Sequence, residues 1–368
     1  MAQLTIPASL LPADGRFGSG PSRVRAAQVQ ALSQSPLLGT SHRAAPVKSL
    51  VGTIRAGLAE LFSLPAGYEV LLGVGGASAF WDAAAAGLVE HRSQNLSFGS
   101  FGGKFAAACR APWLATPDIR TADPGSRIDP EPVEGVDVYA WPQNETSTGV
   151  MAPVRRVVAD PGALTVIDAT SAAGGLPVQA AEFDVYYFSP QKNFGADGGL
   201  WVAAVSPAAI ERIERIAAGD RYIPSFLSLK QALDNSRKNQ TLNTPAIATL
   251  VLLQEQIAWM LEHGGLPWAA QRTTASSALL YEWADRHASV APFVQDPANR
   301  SSVVVTLELL RGLQEDTITR ILTENGIVNT GSYRKLGRNQ LRIGTFASVS
   351  PEDVASLIAC LDYVFERV

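Results

Sequence analysis

Between residues 69 and 205 the chain repeats one arrangement, a short apolar or β-branched run followed by a stretch of helical character, and this leaves few folds open. The runs stand at 69–74, 95–98, 136–141, 164–168, 184–189 and 200–205. Most are too continuously apolar to leave one strand face in water, so both faces of their sheet must be covered. Helical stretches at 79–89, after Gly75-Gly76, and at 104–110 supply cover. The resulting rhythm is that of an open, mainly parallel α/β sheet. Ligands of such sheets bind beyond the carboxyl ends of the strands, so candidate chemistry is sought there.

After about residue 245 the texture changes. Long helices are expected at 247–261 and 272–286 and strands at 302–307 and 340–346, which together describe a smaller α+β unit. Near the C-terminus Val354, Leu357, Ile358, Leu361 and Phe365 recur at helical spacing and predict one buried helix face.

Composition excludes several classes. Hydrophobic residues make up 46% and charged residues 17%, too apolar for a disordered chain. Thirty basic and thirty-four acidic residues leave a net charge of −4 with no dense basic run, so nucleic acid is not an expected partner. Cys109 and Cys360 lie far apart in apolar helical patterns, which fits two buried thiols and no zinc site. The first seventeen residues carry no basic segment and are broken by Pro7 and Pro12, and no run approaches a membrane span. The expectation is a cytoplasmic protein with no membrane partner and no metal.

Two strand ends carry the chemistry. Val166-Ile167-Asp168-Ala169-Thr170-Ser171 ends one buried strand, and Phe188-Ser189-Pro190-Gln191-Lys192-Asn193 ends the next. Singly, the aspartate reads as a turn cap and the lysine as a solvated surface group. Together they read differently. A lysine in an apolar strand-end site can lose its proton and attack a carbonyl to form a Schiff base, and a nearby carboxylate can hold a pyridine nitrogen protonated. These are the protein groups that pyridoxal phosphate chemistry needs. Of the six lysines (Lys48, Lys104, Lys192, Lys230, Lys238 and Lys335), only Lys192 closely follows such a strand.

A phosphate seat is then required, and Gly73-Val74-Gly75-Gly76-Ala77-Ser78 offers a glycine turn from strand into helix, with the N–H groups of Ala77 and Ser78 facing an anion. A dinucleotide fingerprint would need an acid ending a strand about twenty residues on, and Glu90 follows a helix instead, which removes the dehydrogenase reading.

Six blocks in order now resemble the phosphoserine aminotransferases, most of all their actinobacterial branch. They are Phe17-Gly18-Ser19-Gly20-Pro21-Ser22, Gly39-Thr40-Ser41-His42-Arg43, Trp141-Pro142-Gln143-Asn144-Glu145-Thr146, the Asp168 segment, Ser189-Pro190-Gln191-Lys192-Asn193 and Gln240-Thr241-Leu242-Asn243-Thr244-Pro245. Arg342 extends the match across nearly the whole chain. The resemblance implies a fold-type I, pyridoxal-phosphate-dependent transferase with a mainly parallel seven-stranded sheet in its large domain. By residue number it implies an N-terminal segment, 1–22, joining the small domain, a large domain at 23–250 and a small α+β C-terminal domain at 251–368. The implied reaction converts 3-phosphohydroxypyruvate and L-glutamate into O-phospho-L-serine and 2-oxoglutarate, with the related phosphohydroxythreonine step of pyridoxine synthesis beside it.

Carried over by motif, Lys192 would form the Schiff base and shuttle a proton, and Asp168 would pair with the pyridine nitrogen. Thr146 would meet the phenolic oxygen, while Ala77, Ser78 and Gln191 would hold the phosphate. Asn243 and Thr244 would reach that phosphate from the other subunit of a homodimer with shared active sites. Arg342 would clamp the α-carboxylate, and His42 and Arg43, with Ser19 nearby, would take the distal phosphate or carboxylate, a task suited to the guanidinium fork.

The sequence departs from the family at two places. Phe101 stands where many members stack a tryptophan on the cofactor, and a phenyl ring still stacks there. At Tyr333-Arg334-Lys335-Leu336-Gly337-Arg338 the family's His-Arg phosphate pair is not in its usual form, leaving Arg334, Lys335 and Arg338 open as replacements. Competing readings are another class V transaminase of the serine or alanine–glyoxylate kind, a cysteine desulfurase, which needs a mobile-loop cysteine, and a non-catalytic relative, which would be expected to lose Lys192 or Asp168.

Overall fold

A computed structural model describes residues 4–158 and 160–368, so residues 1–3 of the expected N-terminal segment lie outside the described residues. Helices α1 (Ala26–Gln34) and α2 (Ala45–Leu61) precede β1 (Glu69–Val74), α3 (Gly76–Gly87), β2 (Ser93–Ser97), α4 (Ser100–Ala108), β3 (Asp118–Thr121) and β4 (Val138–Pro142). A short hairpin of β5 (Asn144–Glu145) and β6 (Val150–Met151) leads to β7 (Leu164–Asp168), β8 (Val185–Phe188) and β9 (Leu200–Val205). There follow α5 (Pro207–Ala217), α6 (Leu229–Ser236), α7 (Ile247–Glu262), α8 (Gly265–Arg286), β10 (Val290–Pro292), β11 (Val304–Leu309), α9 (Glu315–Glu324), β12 (Gln340–Gly344) and α10 (Pro351–Phe365).

Seven strands form one sheet in the order β1-β9-β8-β7-β4-β2-β3. The pairs from β3 to β8 are parallel, and β9 runs antiparallel to both β8 and β1. All strands but β9 therefore point the same way, and their carboxyl ends share one edge. Alternate side chains enter two different cores: Leu72, Ile167, Phe188 and Val202 join Ile54 and Leu58 of α2 and Leu253 of α7, while Leu71, Val166, Tyr187 and Ala203 join Phe80 and Ala84 of α3 and Ile213 of α5. This two-sided burial is why the strands read as continuous apolar runs.

Strand β3 was not expected. Its sequence Asp-Ile-Arg-Thr is polar and only partly buried because it forms the sheet's edge, where Arg120 pairs with Asp118 at 3.2 Å and Glu131 at 2.5 Å. Charged edges of this kind discourage further strand pairing.

The second sheet is antiparallel, in the order β10-β11-β12, and carries α8, α9 and α10 on its core. Ser350 caps α10 by accepting from Asp353 N, with Pro351 at the first helical position. Val354, Leu357 and Leu361 are buried as expected, whereas Ile358 and Phe365 are only partly so, and Cys360 and Val364 complete the inward face. The N-terminal segment joins this unit: Ile6 and Phe17 lie in its core, and Gly344 N donates to Phe17 O at 2.8 Å. The expected boundary at 250/251 falls inside α7, whose Leu252, Leu253, Ile257 and Met260 pack in the large sheet's core, so the chain passes to the second unit only along α8. No helix among the described residues is long and apolar enough to cross a membrane.

Candidate active site

Because the parallel strands share one edge, their ends deliver residues of very different sequence position to one cavity of about 260 Å³. Gly75 and the α3 residues Gly76, Ala77 and Ser78 follow β1, Asp168 ends β7, Ser189, Gln191 and Lys192 follow β8, and all of these line it with Phe101 and Thr146. Asp168 is the last paired residue of β7, set between Pro142 of β4 and Tyr187 of β8.

Lys192 is buried, and its Nζ donates to Ser19 O at 2.7 Å. Burial disfavours the ammonium, and the positive Arg342 adds to the effect against the opposing pull of Asp168 and Glu145, so the amine is lowered from the ordinary 10.5 to about 7. The N-terminal segment holds the lysine loop in place. Ser22 N donates to Gln191 O at 2.8 Å, and Ser22 Oγ donates to Lys192 O. Gly20 sits at φ 142°, and a β-carbon there would overlap Lys192 Nζ, so only glycine allows the segment to lie against the amine.

The Asp168 carboxylate is oriented from two sides. Trp81 Nε1 donates to Oδ2 at 3.1 Å and Thr170 N donates to Oδ1 at 2.9 Å. Across the cavity, α3 opens at Gly76 rather than at residue 79, after Gly75 in the left-handed region at φ 105°. Ala77 and Ser78 thus occupy the first helical turn, where backbone N–H groups have no partner within the helix. Three buried polar atoms on the cavity wall lack a partner: Asn144 Oδ1, Thr170 Oγ1 and Gln191 Oε1. Thr146 Oγ1 donates to Ser171 Oγ at 2.8 Å, which also accepts from Asn144 Nδ2 at 2.9 Å.

Arg342, on β12, reaches across from the second sheet. Its Nη1 donates to Thr146 O at 2.9 Å, its buried Nε has no partner, and its guanidinium lies 5.3 Å from the Tyr333 ring centroid. Burial lowers its pKa, partly offset by Tyr333 and Glu145. A second, polar cavity of about 600 Å³ is lined by Ser19, Gly20, Arg334 and Arg342. Of the three basic residues left open by the sequence, Arg338 is engaged by Glu308 at 2.6 Å, Lys335 is exposed and outside this lining, and Arg334 lines the cavity.

The remaining candidates form a separate cluster. His42 Nδ1 lies 3.0 Å from Thr244 Oγ1, Arg43 Nη1 donates to Gln240 Oε1 at 2.6 Å, and Asn243 is exposed, none of them lining the Lys192 cavity. Ser19 therefore stands with Lys192 and not with His42, because the N-terminal segment is drawn to the lysine loop. His42 Nε2 is buried without a partner, and desolvation, then Arg43, lowers its pKa. Trp81, Asn144, Ser171 and Tyr333 were missed from the sequence. Trp81 could have been found, since it stands one helical turn beyond Ala77 on the helix that leads from the glycine turn.

The profile of the family described as aminotransferase class V matches residues 126–335. A relative in Mycobacterium avium (strain 104) is 57% identical over 369 residues, covering 100% of this chain and 99% of its own. The phosphoserine aminotransferase of Corynebacterium glutamicum (strain R) is 54% identical, covering 98% of this chain and 97% of its own. Among solved structures, the phosphoserine aminotransferase of Cytophaga hutchinsonii superposes with a TM-score of 0.85 at 24% identity, over 95% of this chain and 99% of its own. That last likeness speaks to the fold.

Proposed function

This chain belongs to the class V aminotransferases, in their phosphoserine aminotransferase branch, and from that premise we propose that it converts 3-phosphohydroxypyruvate and L-glutamate into O-phospho-L-serine and 2-oxoglutarate with pyridoxal phosphate as cofactor. One observation carries the reading: a buried lysine amine, a strand-end carboxylate and a glycine-opened helix N-terminus line one cavity of about 260 Å³.

The donors and acceptors present suit that cofactor. Ala77, Ser78 and Gln191 would hold its phosphate at the start of α3, where free N–H groups and the helix dipole favour an anion. Phe101 would cover a ring face, Thr146 would meet the phenolic oxygen, and Asp168, oriented by Trp81 and Thr170, would face the ring nitrogen. The unpartnered oxygens of Asn144, Thr170 and Gln191 support a polar occupant of this cavity. Pyridoxal phosphate bound there supplies an electron sink for the α-carbon of an amino acid.

Lys192 would hold the cofactor and would take and return the proton at the substrate α-carbon. Its pKa near 7 suits that work, since a base close to the working pH is both available and effective. Arg342, with its free Nε, would take the α-carboxylate. Arg334, which lines the polar cavity together with Ser19, Glu315 and Asp316 and is outside any ion pair among the described residues, would take the distal phosphate or carboxylate. His42, Arg43, Asn243 and Thr244 would serve the site of a second copy in a homodimer, a reading supported by their standing apart from the Lys192 cavity of their own chain.

The test is substrate discrimination. With 2-oxoglutarate as acceptor, kcat/KM for O-phosphoserine should exceed that for serine and alanine by about a hundredfold or more, the loss expected when a charge-assisted clamp has nothing to hold. Equal use of alanine would move the function to another class V transaminase.

A further inference from the structure

Glu145 is wholly buried beside the site, yet it is not among the residues lining the Lys192 cavity. Its oxygens take four donors. Oε2 accepts from Phe101 N at 2.9 Å and Gly102 N at 3.0 Å, and Oε1 accepts from Ser147 N at 3.1 Å and Ser147 Oγ at 2.7 Å. Ser147 Oγ in turn accepts from Ser100 N at 3.0 Å. Since α4 begins at Ser100, its first three N–H groups are all held by the Glu145–Ser147 turn. These are groups that a helix cannot satisfy internally, and a carboxylate is the acceptor that the helix dipole favours.

The contact is built closely. A β-carbon at Gly99 would overlap the Glu145 side chain, so the residue before the helix must be glycine for the carboxylate to approach. The next turn is fixed from behind, with Gly102, Phe105 and Ala106 buried. Phe101 is the second residue of this helix and lines the cavity. The ring is carried on the turn that Glu145 pins, and its other neighbours are the Tyr333 ring, with centroids 6.0 Å apart, and Lys104 Nζ at 4.9 Å from its own centroid.

We propose that Glu145 is a positioning residue that sets the depth and tilt of the Phe101 ring against the cofactor by clamping the first turn of α4. The proposal rests on the reading of Phe101 as the cofactor's ring contact. Its rival is a general effect of the Glu145 charge on Lys192 and Arg342, both of which feel it. The two separate cleanly, because an effect exerted through the ring disappears when the ring is removed, and an effect of charge or folding does not.

The experiment is a double-mutant cycle on the holoenzyme, read as the rate at which pyridoxal phosphate leaves after dilution into a trap for the free aldehyde. Glu145→Gln keeps the shape and one acceptor oxygen but turns an NH₂ group toward N–H donors, so half of the clamp is lost. Phe101→Ala should speed release about tenfold, the upper range for an aromatic contact. Glu145→Gln should speed it about three- to tenfold in the native background and less than about twofold in the Phe101→Ala background. It should also change the circular dichroism of the bound chromophore while leaving the absorbance of Phe101→Ala holoenzyme unmoved. Equal factors in both backgrounds overturn the proposal while leaving the role of Phe101 intact. No effect of Phe101→Ala alone overturns the ring contact and the proposal with it. If Glu145→Gln does not fold, Ser147→Ala, which removes the acceptor of Ser100 N, goes through the same cycle with the same expectations.

Discussion

The lowered basicity of Lys192 can be tested directly in cofactor-free protein. A lysine amine attacks an aldehyde only as the neutral base, so capture of pyridoxal phosphate follows the neutral fraction. With its pKa lowered from 10.5 to about 7, Lys192 is neutral in about half of the molecules at pH 7. An unperturbed lysine would be neutral in roughly one molecule in three thousand. The sign is fixed by the causes: burial and the nearby Arg342 both penalise the ammonium, so capture should rise as pH passes through about 7 and level off above about 8. Stopped-flow absorbance from pH 5.5 to 9 at constant ionic strength measures it. Arg342→Gln removes a like charge and should shift the midpoint upward. A capture rate still climbing about tenfold per pH unit at pH 9, in native protein, would refute the perturbed lysine.

Gly20→Ala should slow cofactor loading by about tenfold or more and lower Tm by a few degrees, since it forces a side chain into a left-handed backbone at a cost of roughly 1–2 kcal/mol and into the space of Lys192 Nζ; absorbance titration and calorimetry check both. Arg334→Ala should raise KM for O-phosphoserine about tenfold or more with the cofactor spectrum unchanged, while Arg338→Ala, whose partner is Glu308, should stay within about twofold in the same steady-state assay.

Asp168 and Lys192 could be singled out because the first ends β7 and the second follows β8 closely, and strands buried on both faces announce themselves as apolar runs. The glycine turn was legible for the same reason, as punctuation between a strand and a helix. Helix starts were less so. α3 begins at Gly76 and α8 at Gly265, in both cases earlier than apolar periodicity suggests, because glycine and Pro267 are tolerated in a first turn where no internal N–H bond is lost. Strand β3 was hidden by its polarity, which follows from its place at the sheet edge. Long-range side-chain pairs stayed invisible: Trp81 meets Asp168 across 87 positions, and Glu145 meets Phe101 across 44. Nothing in the local sequence of any of these residues encodes its partner. The ambiguity at Arg334, Lys335 and Arg338 narrowed only once Glu308 was seen to occupy Arg338.

The most direct test of the proposed function is the ultraviolet-visible spectrum of the purified protein loaded with pyridoxal phosphate, before and after addition of O-phosphoserine, with alanine and serine as controls. A yellow band that gives way to the pyridoxamine form only with the phosphorylated amino acid is the predicted result. A yellow band converted equally by alanine or serine would contradict the phosphate clamp, and a protein that stays colourless with pyridoxal phosphate would contradict the role of Lys192.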